Sequence, residues 1–213
     1  MSADEPVVLV TGFEPFGGFT VNPSEELAKA VDGRHVGECV VRSLILPVDH
    51  ARVHAVLAPA LVGTNPRAVV HLGLAGKRTR IALERVAVNV MDSPIADNAG
   101  YRASGEPCVP GGPAAYFTTL PIRELLEALT AEGIPAYISH TAGTYLCNQT
   151  LYWTLHTVAA DGRPTKVGFI HLPLLPSMVA RSGLDEPSMD FGLMLRTLET
   201  ALALVAGPAA GAG

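Results

Sequence analysis

Cys147 stands in the stretch His140-Thr-Ala-Gly-Thr-Tyr-Leu-Cys-Asn-Gln-Thr-Leu-Tyr-Trp153, where a strand gives way to a glycine-containing turn and then to a helix. The first turn of that helix begins near the cysteine. A helix start carries unpaired backbone N–H groups and the positive end of the peptide dipole, and both favour thiolate over thiol. The expectation is a nucleophilic cysteine that titrates below the ~8.5 of a free thiol. Cys147, Leu151, Leu155 and Val158 recur at intervals of four, four and three, one stripe of a helix, so the sulfur starts on the core-facing side. The same placement also suits a buried small hydrophobe.

A thiol nucleophile needs a base within hydrogen-bond reach and a group that orients the base. Seven histidines are available. His171 closes the run Val167-Gly-Phe-Ile-His and precedes Leu-Pro, which puts it at the carboxyl end of a strand. His140 is its rival, because it closes the strand that leads into the Cys147 turn. His156 comes nine positions after the cysteine, about half a turn out of phase, and points away from the sulfur. His35, His50 and His54 read as solvated surface residues, and His71 as a core residue. For the orienting group, Ile81-Ala-Leu-Glu-Arg-Val-Ala-Val-Asn-Val90 alternates, so Glu84 shares a face with Val86, Val88 and Val90 while Arg85 points the other way. A carboxylate on an apolar face needs a partner, and either an imidazolium or a distant arginine would serve.

These groups need a scaffold, and the chain supplies alternating strands and helices. Strands are expected at Pro6–Gly12, Cys39–Leu46, Ala68–Leu72, Ile81–Val90, Ile134–Ser139 and Lys166–His171. Helices are expected from Asn22-Pro-Ser-Glu-Glu onward, with Asn22 as N-cap and Pro23 in the first turn, and at His50–Leu61, Pro121–Glu132, Cys147–Ala160 and Met189–Val205. Strands apolar on both faces indicate a three-layer α/β/α domain around a mostly parallel twisted sheet, with the site beyond the carboxyl ends of its strands. Asp92–Gly112, rich in Gly, Pro, Asn and Asp, reads as a functional loop or a subunit-contact arm.

With 213 residues, 48% hydrophobic and 16% charged, the chain fits one core-rich domain over 1–206, followed by a tail at 207–213 expected to be disordered. No apolar run is long enough to span a bilayer, and the acidic N-terminus lacks the layout of a signal peptide, so a cytoplasmic protein is expected. Cys39, Cys108 and Cys147 are widely separated with no C-x-x-C spacing, which indicates neither a disulfide framework nor a zinc site. A net charge of −5 without a basic stripe argues against nucleic acid as a partner. A phosphate-cradling role for Gly12–Phe19 is disfavoured, because no phosphate-loop spacing is present and Phe13 and Phe16 would line it.

Together these segments resemble the type I pyroglutamyl peptidases. The carriers are Val10-Thr-Gly-Phe-Glu-Pro-Phe-Gly17 with Asn22-Pro-Ser24, Glu84-Arg-Val-Ala-Val-Asn89, Asp97-Asn-Ala-Gly100, Gly112-Pro-Ala-Ala-Tyr-Phe117 with Leu120-Pro121, Ala142-Gly-Thr-Tyr-Leu-Cys-Asn148 and Gly168-Phe-Ile-His-Leu-Pro173. The resemblance implies a Cys147–His171–Glu84 triad, favouring His171 over His140. It further implies removal of an N-terminal pyroglutamyl residue from peptides, no metal or cofactor, and a homo-oligomer, commonly a tetramer. By the same resemblance Phe13 and Phe16 would wall the lactam pocket, with Asn22, Leu74, Tyr145 and Leu146 as further substrate contacts. Leu74 replaces a glutamine of the family pattern, and Pro94 an arginine. These departures leave two alternatives, a cysteine hydrolase of the same fold acting on another small amide, or a binding homologue that has lost turnover.

Overall fold

The structure is a computed structural model in which residues 5–183 and 185–207 are described. In chain order the elements are β1 (Val7–Phe13), α1 (Pro23–Val31), β2 (His35–Val36), β3 (Cys39–Leu46), α2 (Val53–Thr64), β4 (Ala68–Leu74), β5 (Ile81–Glu84), β6 (Val86–Val88), β7 (Met91–Asp92), β8 (Ser104–Glu106), β9 (Ala115–Phe117), α3 (Ile122–Ala131), β10 (Ala136–Ser139), α4 (Leu146–Ala160), β11 (Lys166–Leu172), α5 (Pro176–Ser182) and α6 (Phe191–Ala206). Of the tail expected at 207–213, positions 208–213 lie outside the described residues.

Seven strands form the main sheet in the order β10-β5-β11-β4-β1-β3-β2. β3, β1, β4 and β11 run parallel, as expected. β5 and β10 run parallel to each other but antiparallel to β11. Alternation along the strands separates two apolar layers. Val70, Leu72 and Leu74 of β4 face Leu27 of α1, Leu125 of α3 and Leu198 of α6. Val69 of β4 and Phe169 of β11 face Leu57 of α2 and Leu151 of α4. The α/β/α layering follows from burying both faces of a continuous apolar strand.

Local chemistry sets the element ends. Asn22 Oδ1 accepts from the Ser24 N–H and opens α1. The approach of α1 to β1 requires Gly12, since a Cβ there would stand 2.2 Å from the Ser24 carbonyl oxygen. α2 starts at Val53 rather than His50, because the Asp49 carboxylate holds the N–H groups of Ala51 and Arg52 in a turn. The short helix α5 was not expected; Pro176 opens it and Gly183, with φ 65°, ends it.

One expectation needs correction. Ile81–Val90 is not one strand, since pairing changes at Arg85. Its N–H still donates to the Ser139 carbonyl, but its own carbonyl accepts from Thr118 and the chain continues as β6 against β9. The inferred common face therefore ends at Glu84, and beyond it Ala87, rather than Val86 or Val88, is the buried residue. The 92–112 stretch also carries order. β7 pairs with β8, and Asp97 anchors a turn by accepting from the N–H groups of Ala99 and Tyr101. Among the described residues, no helix is long and apolar enough to cross a membrane.

Candidate active site

β4 and β11 bring the chemistry together. His171 is the in-register neighbour of Gly73, and odd-numbered positions on both strands face α4. Over Gly73 lies Cys147, with Sγ 3.1 Å from the point a Cβ on that glycine would occupy. The thiol and the imidazole thus share one face at the carboxyl ends of neighbouring strands. β5 runs the opposite way, so the loop before it crosses this same end while the strand carries Glu84 inward beneath His171. His171 Nδ1 and Glu84 Oε1 are 2.7 Å apart, and neither residue is more than 4% exposed. The same carboxylate oxygen accepts from Arg78 Nη1 at 2.9 Å.

The half-buried Cys147 does not titrate low. Loss of solvent around the sulfur pushes its thiol up to about 12, the Glu84 charge adds to the rise, and Arg78 and the cysteine's own N–H oppose it. A helix start contributes at most about 2 kcal/mol, roughly one and a half pH units, whereas burial shifts reach about 3–5 units. Burial therefore wins over the dipole, which corrects the expectation of a low-titrating thiol. Burial also pulls His171 below its ordinary value, against the raising effect of its Glu84 hydrogen bond, while Arg78 lowers it further. Near neutral pH the pair rests as thiol and neutral imidazole.

The other histidines are elsewhere. His140 is exposed, because β10 runs antiparallel to β11 and carries its end away from the carboxyl ends of β4 and β11. His156 is hydrogen-bonded with the Tyr116 hydroxyl, and His71 is buried between the hydroxyls of Thr11 and Thr154. His35 is exposed beside Glu5. The surface reading fails for His50 and His54. The His54 ring lies tilted against that of Trp153, and buried His50 is bonded to Gln149 and Ser93, fixing the first turn of α4 against the Ser93–Tyr101 loop.

A sequence profile of the pyroglutamyl peptidase family matches residues 7–207. The pyrrolidone-carboxylate peptidase of Pyrococcus furiosus is 44% identical over 198 residues, covering 92% of this chain and 95% of the relative. That of Klebsiella pneumoniae is 45% identical over 197 residues, covering 92% and 91%. The chain belongs to the pyroglutamyl peptidase family. A solved structure of the pyrrolidone carboxyl peptidase from the hyperthermophile Pyrococcus furiosus superposes with a TM-score of 0.91 at 44% identity, over 93% of this chain and 97% of that one.

In this member of the pyroglutamyl peptidase family, the six expected substrate contacts divide. Phe13 closes β1 on the same face as the thiol, and the Phe16 ring lies 6.3 Å from that of Tyr145, whose hydroxyl bonds the Ala96 carbonyl. These three aromatics can wall a pocket. Asn22 cannot reach outward, because its Oδ1 caps α1 and its Nδ2 donates to the Glu14 carbonyl. Leu146 is buried in the α2–α4 layer, and Leu74 turns to the opposite face of the sheet from Cys147. Pro94 is exposed on a loop that Asn98 ties to Glu14 and Pro15. Among the described residues, no group of three or more His, Cys, Asp or Glu side chains could hold a metal ion.

Sequence reasoning did not single out Arg78. The available signal was the demand of a buried Glu84 for a cation, which Arg85 could not meet. His50 was missed because its partners, Ser93 and Gln149, are distant in the chain.

Proposed function

We propose that this protein is a cysteine peptidase that removes the pyroglutamyl residue from the N-terminus of peptides, with Cys147 as nucleophile, His171 as general base and acid, and Glu84 as the group that orients His171. The observation that carries the reading is the convergence of the thiol at the start of α4, over Gly73 of β4, with the imidazole of β11 and the carboxylate of β5. Donation of the Nδ1 proton to Glu84 leaves Nε2 as the basic nitrogen on the other edge of the ring.

As the sulfur attacks the pyroglutamyl carbonyl, its proton passes to His171 Nε2 and the C–S bond forms. The first intrahelical bond of α4 runs from the Gln149 N–H to the Tyr145 carbonyl, so the N–H groups of Leu146, Cys147 and Asn148 precede the ladder. They are suited to stabilise the oxyanion. The imidazolium then protonates the departing amine as the C–N bond breaks and a thioester remains. His171 takes a proton from water, hydroxide adds to the thioester, and pyroglutamate leaves with the thiol restored. Phe13, Phe16 and Tyr145 offer apolar walls to a flat, uncharged lactam. An open-chain glutamyl residue would leave its charges unpaired there. Leu74 faces away from the thiol, which favours this reading over a hydrolase with a rebuilt pocket. Assembly as a homo-tetramer and action in the cytoplasm belong to the same proposal.

The test is release of a chromophoric amine from its pyroglutamyl amide under reducing conditions, with prolyl and glutamyl amides as controls. Selective turnover that disappears in Cys147→Ser is expected. A well-folded native protein without turnover would overturn the reading.

A further inference from the structure

Glu84 is fully buried, and two donors from different elements converge on one of its oxygens, His171 Nδ1 at 2.7 Å and Arg78 Nη1 at 2.9 Å. Among the described residues the other oxygen, Oε2, has no hydrogen-bond partner. A carboxylate stripped of water needs a compensating charge. His171 does not supply one at rest, because its imidazole is neutral. Arg78 does, and it sits where substrate chemistry can feel it, on the loop that crosses the carboxyl end of the sheet between β4 and β5. That loop is shaped for the task. Lys77 adopts a left-handed backbone with φ 66°, which turns the chain just before Arg78, and the guanidinium is 6.0 Å from the Tyr137 ring centre, with Arg80 on the same ring at 4.6 Å.

We propose that Arg78 is a positioning residue for the reaction, a fixed cation that pairs with the buried Glu84 carboxylate and, by sharing its Oε1, tunes how strongly the carboxylate holds the imidazole. The inference rests on the cysteine-hydrolase reading above. When His171 takes the thiol proton, the centre passes from one cation and one anion to two cations facing a carboxylate and the attacking thiolate. Arg78 disfavours the imidazolium and favours the thiolate. The charged or titratable side chains around it are Glu84 on β5, His171 on β11, Cys147 on α4, Tyr137 on β10, Lys77 and Arg80 on its own loop, and Glu186, whose Oε2 lies 3.1 Å from the Cβ position of Gly76.

Arg78→Met, Arg78→Lys and Arg78→Ala test the assignment, with folding checked by circular dichroism. In Arg78→Met, kcat at neutral pH is expected to fall about 100-fold while KM stays within about threefold. The acidic limb of the kcat/KM profile moves to higher pH, because removing a cation raises the titration of His171. Arg78→Lys retains the charge and holds the limb near its native position. Millimolar guanidinium chloride restores part of the activity of Arg78→Ala, which also covers the case in which the methionine variant does not fold. A fall in kcat equal at every pH, or an Arg78→Ala protein that guanidinium does not rescue, would reduce Arg78 to a structural contact and overturn the proposal. Native protein that cleaves no pyroglutamyl amide would instead refute the hydrolase reading. The rate of Cys147 alkylation by iodoacetamide at fixed pH separates the two, because it is still expected to drop in Arg78→Met.

Discussion

The sulfur of Cys147 rests over Gly73, close enough that a Cβ there would stand 3.1 Å from it and 2.7 Å from the Phe169 ring. The missing side chain makes room for the nucleophile. Gly73→Ala is therefore expected to cost roughly 1–3 kcal/mol of stability through overpacking and to lower kcat/KM at least about tenfold by displacing the thiol. Thermal denaturation and turnover of a pyroglutamyl amide check both. A stable, fully active Gly73→Ala protein would mean the sulfur does not occupy this position.

The high titration of Cys147 makes a distinct chemical prediction. Alkylation by iodoacetamide, measured against Cys147→Ser to correct for Cys39 and Cys108, should climb steadily with pH from 6 to 10. Burial is the main cause of the high titration, so no plateau is expected near neutrality. A plateau already reached at pH 6–7 would show a preformed thiolate–imidazolium pair.

Glu84→Gln keeps the shape of the side chain and removes its charge. Its amide can present a donor to His171 Nδ1, which reverses the tautomer and leaves Nε2 protonated and unable to accept. A loss of about 10³- to 10⁴-fold in kcat is expected, with KM little changed. A loss below tenfold would assign the orientation of His171 to another group.

Asn22 separates a structural role from a substrate role. Asn22→Ala removes the α1 cap and the bond to the Glu14 carbonyl, so stability should fall by about 0.5–2 kcal/mol while KM stays near native. A raised KM with an unchanged melting temperature would reinstate Asn22 as a substrate contact.

His71 contributes a pH dependence to stability. Burial between Thr11 and Thr154 lowers it to about 3 in the folded protein. A depressed folded value means that the unfolded chain binds the proton first. The stability is fully present above about pH 6.5 and drains away as pH falls toward about 3, by as much as about 4–5 kcal/mol at ~1.4 kcal/mol per unit. Buried His171 acts in the same direction. Urea midpoints at pH 7, 5 and 4 should decline in the native protein and decline less in His71→Gln. Equal slopes would show that His71 is not the group responsible.

Much of this protein follows from local pattern. Continuous apolar runs gave β1, β3, β4 and β11 their place in a buried sheet, and the Asn22-Pro-Ser-Glu-Glu signal set the start of α1. The four-four-three spacing from Cys147 to Val158 placed α4 and the direction of its sulfur. These are properties of neighbours along the chain, where periodicity and capping act directly. The separation of the three reacting groups did not hide them, because the pattern marks Cys147 by a helix start, His171 by a strand end and Glu84 by its place on an apolar strand face.

Only the tertiary structure decided what depends on strand direction, pairing and solvent. The antiparallel course of β5 and β10 sets His140 aside and drops Glu84 beneath His171, and no local signal distinguishes that course from a parallel one. The end of pairing at Ser139 splits Ile81–Val90. The faces assigned to Leu74, Leu146 and Asn22 depend on packing across the sheet. The titration of Cys147 depends on how much water the closed layers exclude, a quantity the helix dipole cannot outweigh. The ion pair of Arg78 with Glu84 joins residues only six apart, yet it forms because the folded loop turns the guanidinium back over a carboxylate that the sheet has buried.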